Sequence, residues 1–390
     1  MTSANPSASL SPGRRHDLDW LRIGAFTLLI AYHCGMYFNT EGWHAKSVHA
    51  SAAIEPVMWL SSPWRLSLLF FISGVAMRYL LDKRGAGAFA VDRVWRLAPV
   101  IVFGMAVIVP PQTWAELRAA GVIGAQWRDF LPYWTVFGGP WEVATPTWNH
   151  LWYVVYLLVY ALILAVLHPL LKRAGEGAEP VLFHRAAVLI APAAVFLAVR
   201  FGLAARYPTT HALWGDWANH AQSLFIVLYG YAAAKSERFW RAVDALFPLV
   251  AGFALVLGTG LFLAYLDWDA TAENALAAWT ARIARPVFAW MVILALLGAA
   301  RRWFTNDNAA RRYLSEAVFP YYILHQTITV TAGYALTFAG LSVWGEAVIL
   351  IGATVLGCAI GYEIVRRTGP LRIVFGLKPA LIAQTKVAPV

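Results

Sequence analysis

The chain has 390 residues, of which 60% are apolar, 14% aromatic and only 13% charged, with a mean hydropathy of +0.58 and a net charge of +10. A soluble domain carries about 25% charged residues, so these charges are too few to cover a water-facing surface, and apolar runs of about 17–25 residues exclude a string of soluble domains. The basic residues gather in short clusters between those runs, which argues against nucleic acid and makes the lipid bilayer the partner.

Residues 1–16 form a polar, Ser/Pro-rich tail, with no cleavable signal peptide before the first apolar run. Ten helices are expected, at about Leu18–Phe38, Val57–Leu81, Val94–Pro110, His150–Leu170 and Ala186–Leu203, then His220–Ala234, Ala245–Tyr265, Arg285–Ala300, Glu316–Phe338 and Val343–Val365. Between the third and fourth lies a polar and aromatic stretch broken by Gly138, Gly139, Pro140 and Pro146. The membrane domain therefore covers 17–368, and 369–390 is a tail. Helix is the only reasonable element, because lipid leaves unpaired backbone groups without partners and the runs are too long for barrel strands. The fold class is all-α, polytopic and multi-pass.

Placing the N-terminus in the cytoplasm puts Arg14 and Arg15, Lys83 and Arg84, Lys172 and Arg173, Arg301 and Arg302, and Arg366 and Arg367 on one side. The opposite loops hold only Lys46, Arg118, Arg128, Arg200, Arg206, Arg282 and Arg285. That asymmetry predicts both termini inside, in the inner (plasma) membrane.

Ionisable residues within such helices mark functional sites. The first helix carries Asp19, Arg22 and His33. Arg22 and His33 are eleven residues apart, which is three helical turns, so they share a face about 16 Å apart, and Asp19 joins that face one turn below. Arg22 alone reads as a snorkelling residue and His33 alone as a packing one; the two on one stripe favour function. The second helix carries Arg65, at the depth of His33, and Phe70-Phe71-Ile72-Ser73-Gly74, where small residues serve packing as well as function. Arg93 and Arg96 share a face at i, i+3, either as an inside anchor or as a clamp for phosphate. His150 opens the fourth helix and His325 lies mid-helix in the ninth. Cys34 and Cys358 both sit in apolar runs and support neither a disulfide framework nor a zinc site. The sequence has no histidine pair at metal-binding spacing, phosphate loop or GxSxG elbow, so no permanently bound cofactor is expected.

Leu18-Asp19-Trp20-Leu21-Arg22 followed by His33 resembles the opening of the acyltransferase-3 family of membrane enzymes. Phe70-Phe71-Ile72-Ser73-Gly74 is similar to its second-helix signature, and Arg93-Val94-Trp95-Arg96 to its Arg-x-x-Arg motif. His150-Leu151-Trp152 and Tyr322-Ile323-Leu324-His325 also resemble recurring family segments, and the likeness runs from about Asp17 to Lys378. Arg65 nine residues before Gly74, with the tail from Tyr362 to Pro379, is similar to the branch containing the glucan-biosynthesis protein C group, which succinylates periplasmic glucans.

The resemblance implies transfer of an acyl group from cytoplasmic acyl-coenzyme A to a hydroxyl of a glycan or other cell-envelope acceptor. On that reading Arg93 and Arg96 face the phosphates of the acyl carrier. His33 is the general base, Arg22 and Asp19 are the other catalytic candidates, with Arg22 steering the donor or holding Asp19, and Arg65 or Ser73 polarises the thioester carbonyl. His150 and His325 are further substrate-binding candidates. The competing class is a secondary transporter or glycan exporter, which also uses intramembrane Arg and His; paired halves with matching broken helices, common in transporters, are not evident.

Overall fold

The structure is a computed structural model that describes residues 15–175 and 181–379. The N-terminal tail up to Arg14 and the C-terminal residues from 380 onward lie outside the described residues. Among those described, ten helices of 17 residues or more account for every expected run. They are α1 (His16–Phe38), α2 (Glu55–Arg84), α3 (Ala86–Phe103), α4 (Trp152–Gly175) and α5 (Arg185–Gly202), then α6 (Trp217–Ala233), α7 (Glu237–Leu266), α8 (Ala275–Trp303), α9 (Ala309–Leu336) and α10 (Val343–Arg367). There is no strand among the described residues.

Several helices begin earlier than the apolar runs do. Hydropathy marks only the part of a helix that meets lipid, whereas the cap residue fixes where the backbone starts to wind. The Ser236 side chain accepts from Phe239 N, Asn274 from Ala277 N and Asn308 from Arg311 N. These caps start α7, α8 and α9 one to three turns ahead of their apolar segments.

Among the described residues, eight segments are long and apolar enough to cross a bilayer by length and composition. The two long helices outside that set are α6, with 17 residues, and α9, which carries Arg311, Arg312, Glu316, His325 and Gln326. Both are packed inward. α6 lies along α2, and α9 lies between α1 and α10. The α2–α6 crossing is set by two glycines: a Cβ on Gly74 would run into the Val227 carbonyl, and one on Gly230 into the Phe71 carbonyl. Small residues at a crossing let the backbones touch, which in lipid is the main source of helix association. α7 and α10 instead turn Leu255, Val256, Leu263, Val348, Leu356 and Ile360 outward, the reverse of a soluble protein and the expected face towards lipid.

The third run does not end at Pro110. α3 passes into a π-helical turn at Gly104–Ile108 and then into a short helix, Pro110–Ala119. The wider turn redirects backbone carbonyls, and side chains take them up. Tyr133 Oη donates to Met105 O (2.9 Å), Trp134 Nε1 to Ala106 O (3.1 Å) and Thr327 Oγ1 to Ile108 O (2.6 Å). Residues 110–148 thereby form an aromatic cap at one end of the bundle, with Phe130 and Tyr133 at its centre.

The C-terminal segment, expected as tail, folds back. After α10 a short helix (Gly369–Val374) packs on α3 and α10, and Gly376, at φ +67, turns the chain where a Cβ would meet the Phe319 ring. Arg96 Nε donates to Gly376 O (3.0 Å), and Arg372 donates to Lys378 O (2.7 Å) and Glu316 Oε1 (3.2 Å).

Candidate active site

Two cavities enter the bundle from opposite ends of α1. The first, of about 610 Å³, opens at the end holding the α1 N-terminus. Among the described residues six cationic side chains line it (Arg22, Arg93, Arg96, Arg312, Arg372 and Lys378) against one carboxylate, Glu316. Arg93 and Arg96 do face one space, and Arg22 joins them from α1. Two of these cations come from the C-terminal segment, which sequence reading left out of the site. Arg93 is steadied by an ion pair with Asp92.

Asp19 stands behind Arg22 rather than in the cavity. Its carboxylate takes Arg311 Nη1 at 2.5 Å and Arg22 Nη2 at 3.3 Å, while Arg22 Nη2 also reaches Ser315 O at 3.2 Å. Arg311 is 1% exposed and also pairs with Asp307 (2.8 Å). A cation buried that deeply needs carboxylates around it, and this requirement gives Asp19 a structural role as well as aiming Arg22.

The second cavity, of about 770 Å³, opens at the opposite end and is lined by His33, Arg65, His150, Gln326, His44 and Glu116 among others. Here α1 and α9 bring together two residues 292 positions apart in sequence: His33 Nδ1 lies 2.7 Å from His325 Nε2, with the rings stacked. The direction of that bond follows from its neighbours. His325 Nδ1 lies 2.6 Å from the Tyr322 carbonyl, which can only accept, so the proton is on Nδ1. A neutral His325 then presents a bare Nε2, and His33 must donate to it from Nδ1. The lone pair of His33 is left on Nε2, because Nδ1 carries the proton. His150 is fully engaged by comparison. Its Nε2 donates to Ile323 O (3.1 Å), Gln112 Nε2 lies 3.4 Å from its Nδ1, and its carbonyl accepts from Tyr322 Oη.

Arg65 is 4% exposed, donates to Ser61 Oγ (3.1 Å) and lies 3.8 Å over the Tyr32 ring. No carboxylate oxygen lies within 4 Å of it among the described residues, and its Nε has no hydrogen-bond partner. Ser73 lies about 12 Å farther along α2, lines the first cavity and bonds Tyr153 Oη at 3.0 Å. The two candidates for polarising one carbonyl are thus divided between the cavities.

Tyr153 borders both spaces. Its ring meets Phe70 at 4.7 Å, Tyr322 at 6.0 Å and Phe26 at 6.2 Å, so an aromatic septum stands between the Arg22 cavity and the His33 cavity. Sequence reading missed this wall, and it missed a carboxylate–imidazole pair: Glu116 Oε2 accepts from His44 Nδ1 at 2.6 Å, while Asn149 Nδ2 and Gln326 Nε2 both lie 3.1 Å from His44 Nε2. His44 and Glu116 are 72 residues apart on a loop and a short helix, so no local spacing announces them. Neither cysteine lines either cavity.

A family profile described as an acyltransferase domain matches residues 15–363. The chain belongs to the acyltransferase-3 family. This acyltransferase is 21% identical to the glucans biosynthesis protein C of Escherichia coli O81 (strain ED1a) over 399 aligned residues, covering 96% of this chain and 98% of the relative. The same-named protein of Escherichia coli O9:H4 (strain HS) matches with the same identity and coverage. No solved structure matches. The acyltransferase therefore carries its family's domain over nearly its whole length, and both cavities lie largely within it.

Proposed function

We propose that this membrane acyltransferase takes its acyl group from coenzyme A in the Arg22–Arg93–Arg96 cavity and delivers it to a hydroxyl of a glycan held in the His33 cavity. The basic clusters favour a cytoplasmic donor side, both termini in the cytoplasm and residence in the inner membrane. Arginine forks suit the phosphates of the donor. A carrier with a long arm between phosphates and thioester suits a path on which Arg22 and His33 stand about 16 Å apart. The glycan acceptor is suggested by the name of the glucan biosynthesis relatives.

The observation that carries the mechanism is the bare Nε2 of His33 in the second cavity. His33 Nε2 takes the proton of the acceptor hydroxyl as its oxygen attacks the thioester carbonyl. The Arg65 cation faces the developing oxyanion. The C–S bond then breaks, and the imidazolium returns its proton to the leaving thiolate. Direct attack is favoured because Cys34 and Cys358 are buried away from both cavities. Asp19 and Arg22 serve the donor end, and His150 and His325 hold and orient.

Two cavities separated by one wall also suit the transporter or exporter reading. Purified protein with acyl-coenzyme A and a glucan acceptor separates the two: transfer releases free thiol in step with acylated glucan. Coenzyme A at a hundredfold excess over Kd should stabilise the fold by about 2.7 kcal/mol. Absence of both thiol release and protection would leave transport as the better reading.

A further inference from the structure

Beside the mouth of the His33 cavity lies a third space, of about 310 Å³, with three arginines on its wall: Arg200 from α5 and Arg282 and Arg285 from α8. Trp59, Tyr265 and Trp268 complete it. Arg285 also lines the His33 cavity and a smaller connecting space of about 190 Å³, so the three form one branched recess.

The charges here are unbalanced. Among the described residues no carboxylate oxygen lies within 4 Å of Arg200, Arg282 or Arg285. Arg285 donates to Ser62 Oγ (2.8 Å), and Arg282 sits 5.5 Å over the Trp279 ring. Glu41 is held by Trp59 Nε1 at 2.6 Å. Of the other cations at this end, Lys46 caps Met36 O (2.7 Å), Arg118 caps Ile123 O (3.0 Å), Arg128 pairs with Asp129 (3.9 Å) and Arg206 lies 5.6 Å over the Tyr207 ring, outside the recess. Basic residues are few at this end of the bundle, yet three converge on one recess and repel each other. Exposed Leu266, Leu276, Trp279 and Ile283 place the recess at the lipid boundary.

We infer that this recess binds a phosphate-type anion at the entrance to the His33 cavity, presented either as an anionic lipid headgroup or as a soluble phosphate group. Three planar forks match the oxygens of a tetrahedral oxyanion, and the aromatic rings supply the interfacial wall. The inference does not depend on acyl transfer, because its test reads binding and not turnover.

The test uses the full chain in phosphatidylcholine nanodiscs. In one arm phosphatidylglycerol is added and its retention is counted by native mass spectrometry. In the other, inorganic phosphate is titrated by calorimetry. Arg200→Gln combined with Arg282→Gln should weaken binding by about tenfold per arginine removed. The doubly Lys-substituted protein should fall between, since charge remains and the fork is lost. Arg128→Gln at the same end should change nothing. A loss confined to phosphatidylglycerol assigns a lipid headgroup, and a loss of inorganic phosphate binding assigns a soluble phosphate; either supports the inference. Equal binding by the wild-type and doubly Gln-substituted proteins in both arms would overturn it.

Discussion

Replacing His325 tests whether the His33–His325 pair sets the basic nitrogen. His325→Leu removes the acceptor of the His33 Nδ1 proton, now 2.7 Å away, and leaves that donor without a partner beside an apolar chain. An unsatisfied buried donor costs about 1–3 kcal/mol. If that energy goes into turning the ring or moving its proton, kcat falls by about 5- to 150-fold. The ceiling is the loss in His33→Gln, about 10²–10⁴-fold for removal of a general base. His325→Gln should recover part of the rate, because its amide oxygen can still accept from Nδ1. The double variant His33→Gln/His325→Leu should be no slower than His33→Gln alone, since His325 acts only through His33. The assay is thiol release per folded molecule, with folding followed by fluorescence-detected size exclusion. The apparent KM for the acyl donor should stay constant, because His325 lies outside the cationic cavity. Additive losses in the double variant, or equal rates for the Leu and Gln replacements, would refute the assignment.

Arg93→Lys keeps the charge but loses the fork, so the apparent KM for the acyl donor should rise while kcat changes little; unchanged donor kinetics would reduce Arg93 to an anchor. Arg96→Ala should do more, because it also frees the Gly376 carbonyl, bonded at 3.0 Å; limited proteolysis should then cut within residues 369–379, and an unaltered digestion pattern would count against the docked segment. Gly74→Ala forces a methyl group into the Val227 carbonyl across α2–α6 and should destabilise by about 1–3 kcal/mol, read as a lower unfolding midpoint in detergent. Turnover should fall at acid pH as the His33 lone pair is taken by a proton, and the residual rate of His33→Gln should lack that limb.

The ten helices were legible because lipid makes hydropathy a sharp signal along the chain, and capping residues account for most of the misplaced starts. The stripe of Arg22 and His33 was legible for a similar reason: helical geometry fixes what lies on one face. Across helices the sequence was silent. It named His33, His150 and His325 but could not say that the first and last share a proton while the other is tied to Ile323 and Gln112. It offered Arg65 and Ser73 for one task, although they open into different cavities. His44 with Glu116, and Arg372 and Lys378 in the cationic cavity, depend on a loop, a π-turn and a folded-back terminus. Such contacts join distant positions through irregular backbone, which leaves no periodic trace.

A segment as polar as α9 is a poor candidate for entering the membrane on its own. His325 and Gln326 near its centre, with Arg311 and Arg312 in its first turn, oppose release from the insertion machinery into lipid. α9 makes its closest packing with α10, the next segment to be synthesised, and with α1, the first. It should therefore wait at the insertion site until α10 emerges, and leave with it as a hairpin. Chains ending shortly after Leu336 should then be retained or degraded, while those extended through Arg367 should integrate. The His33–His325 pair would thus come into being only once nearly the whole chain has been made.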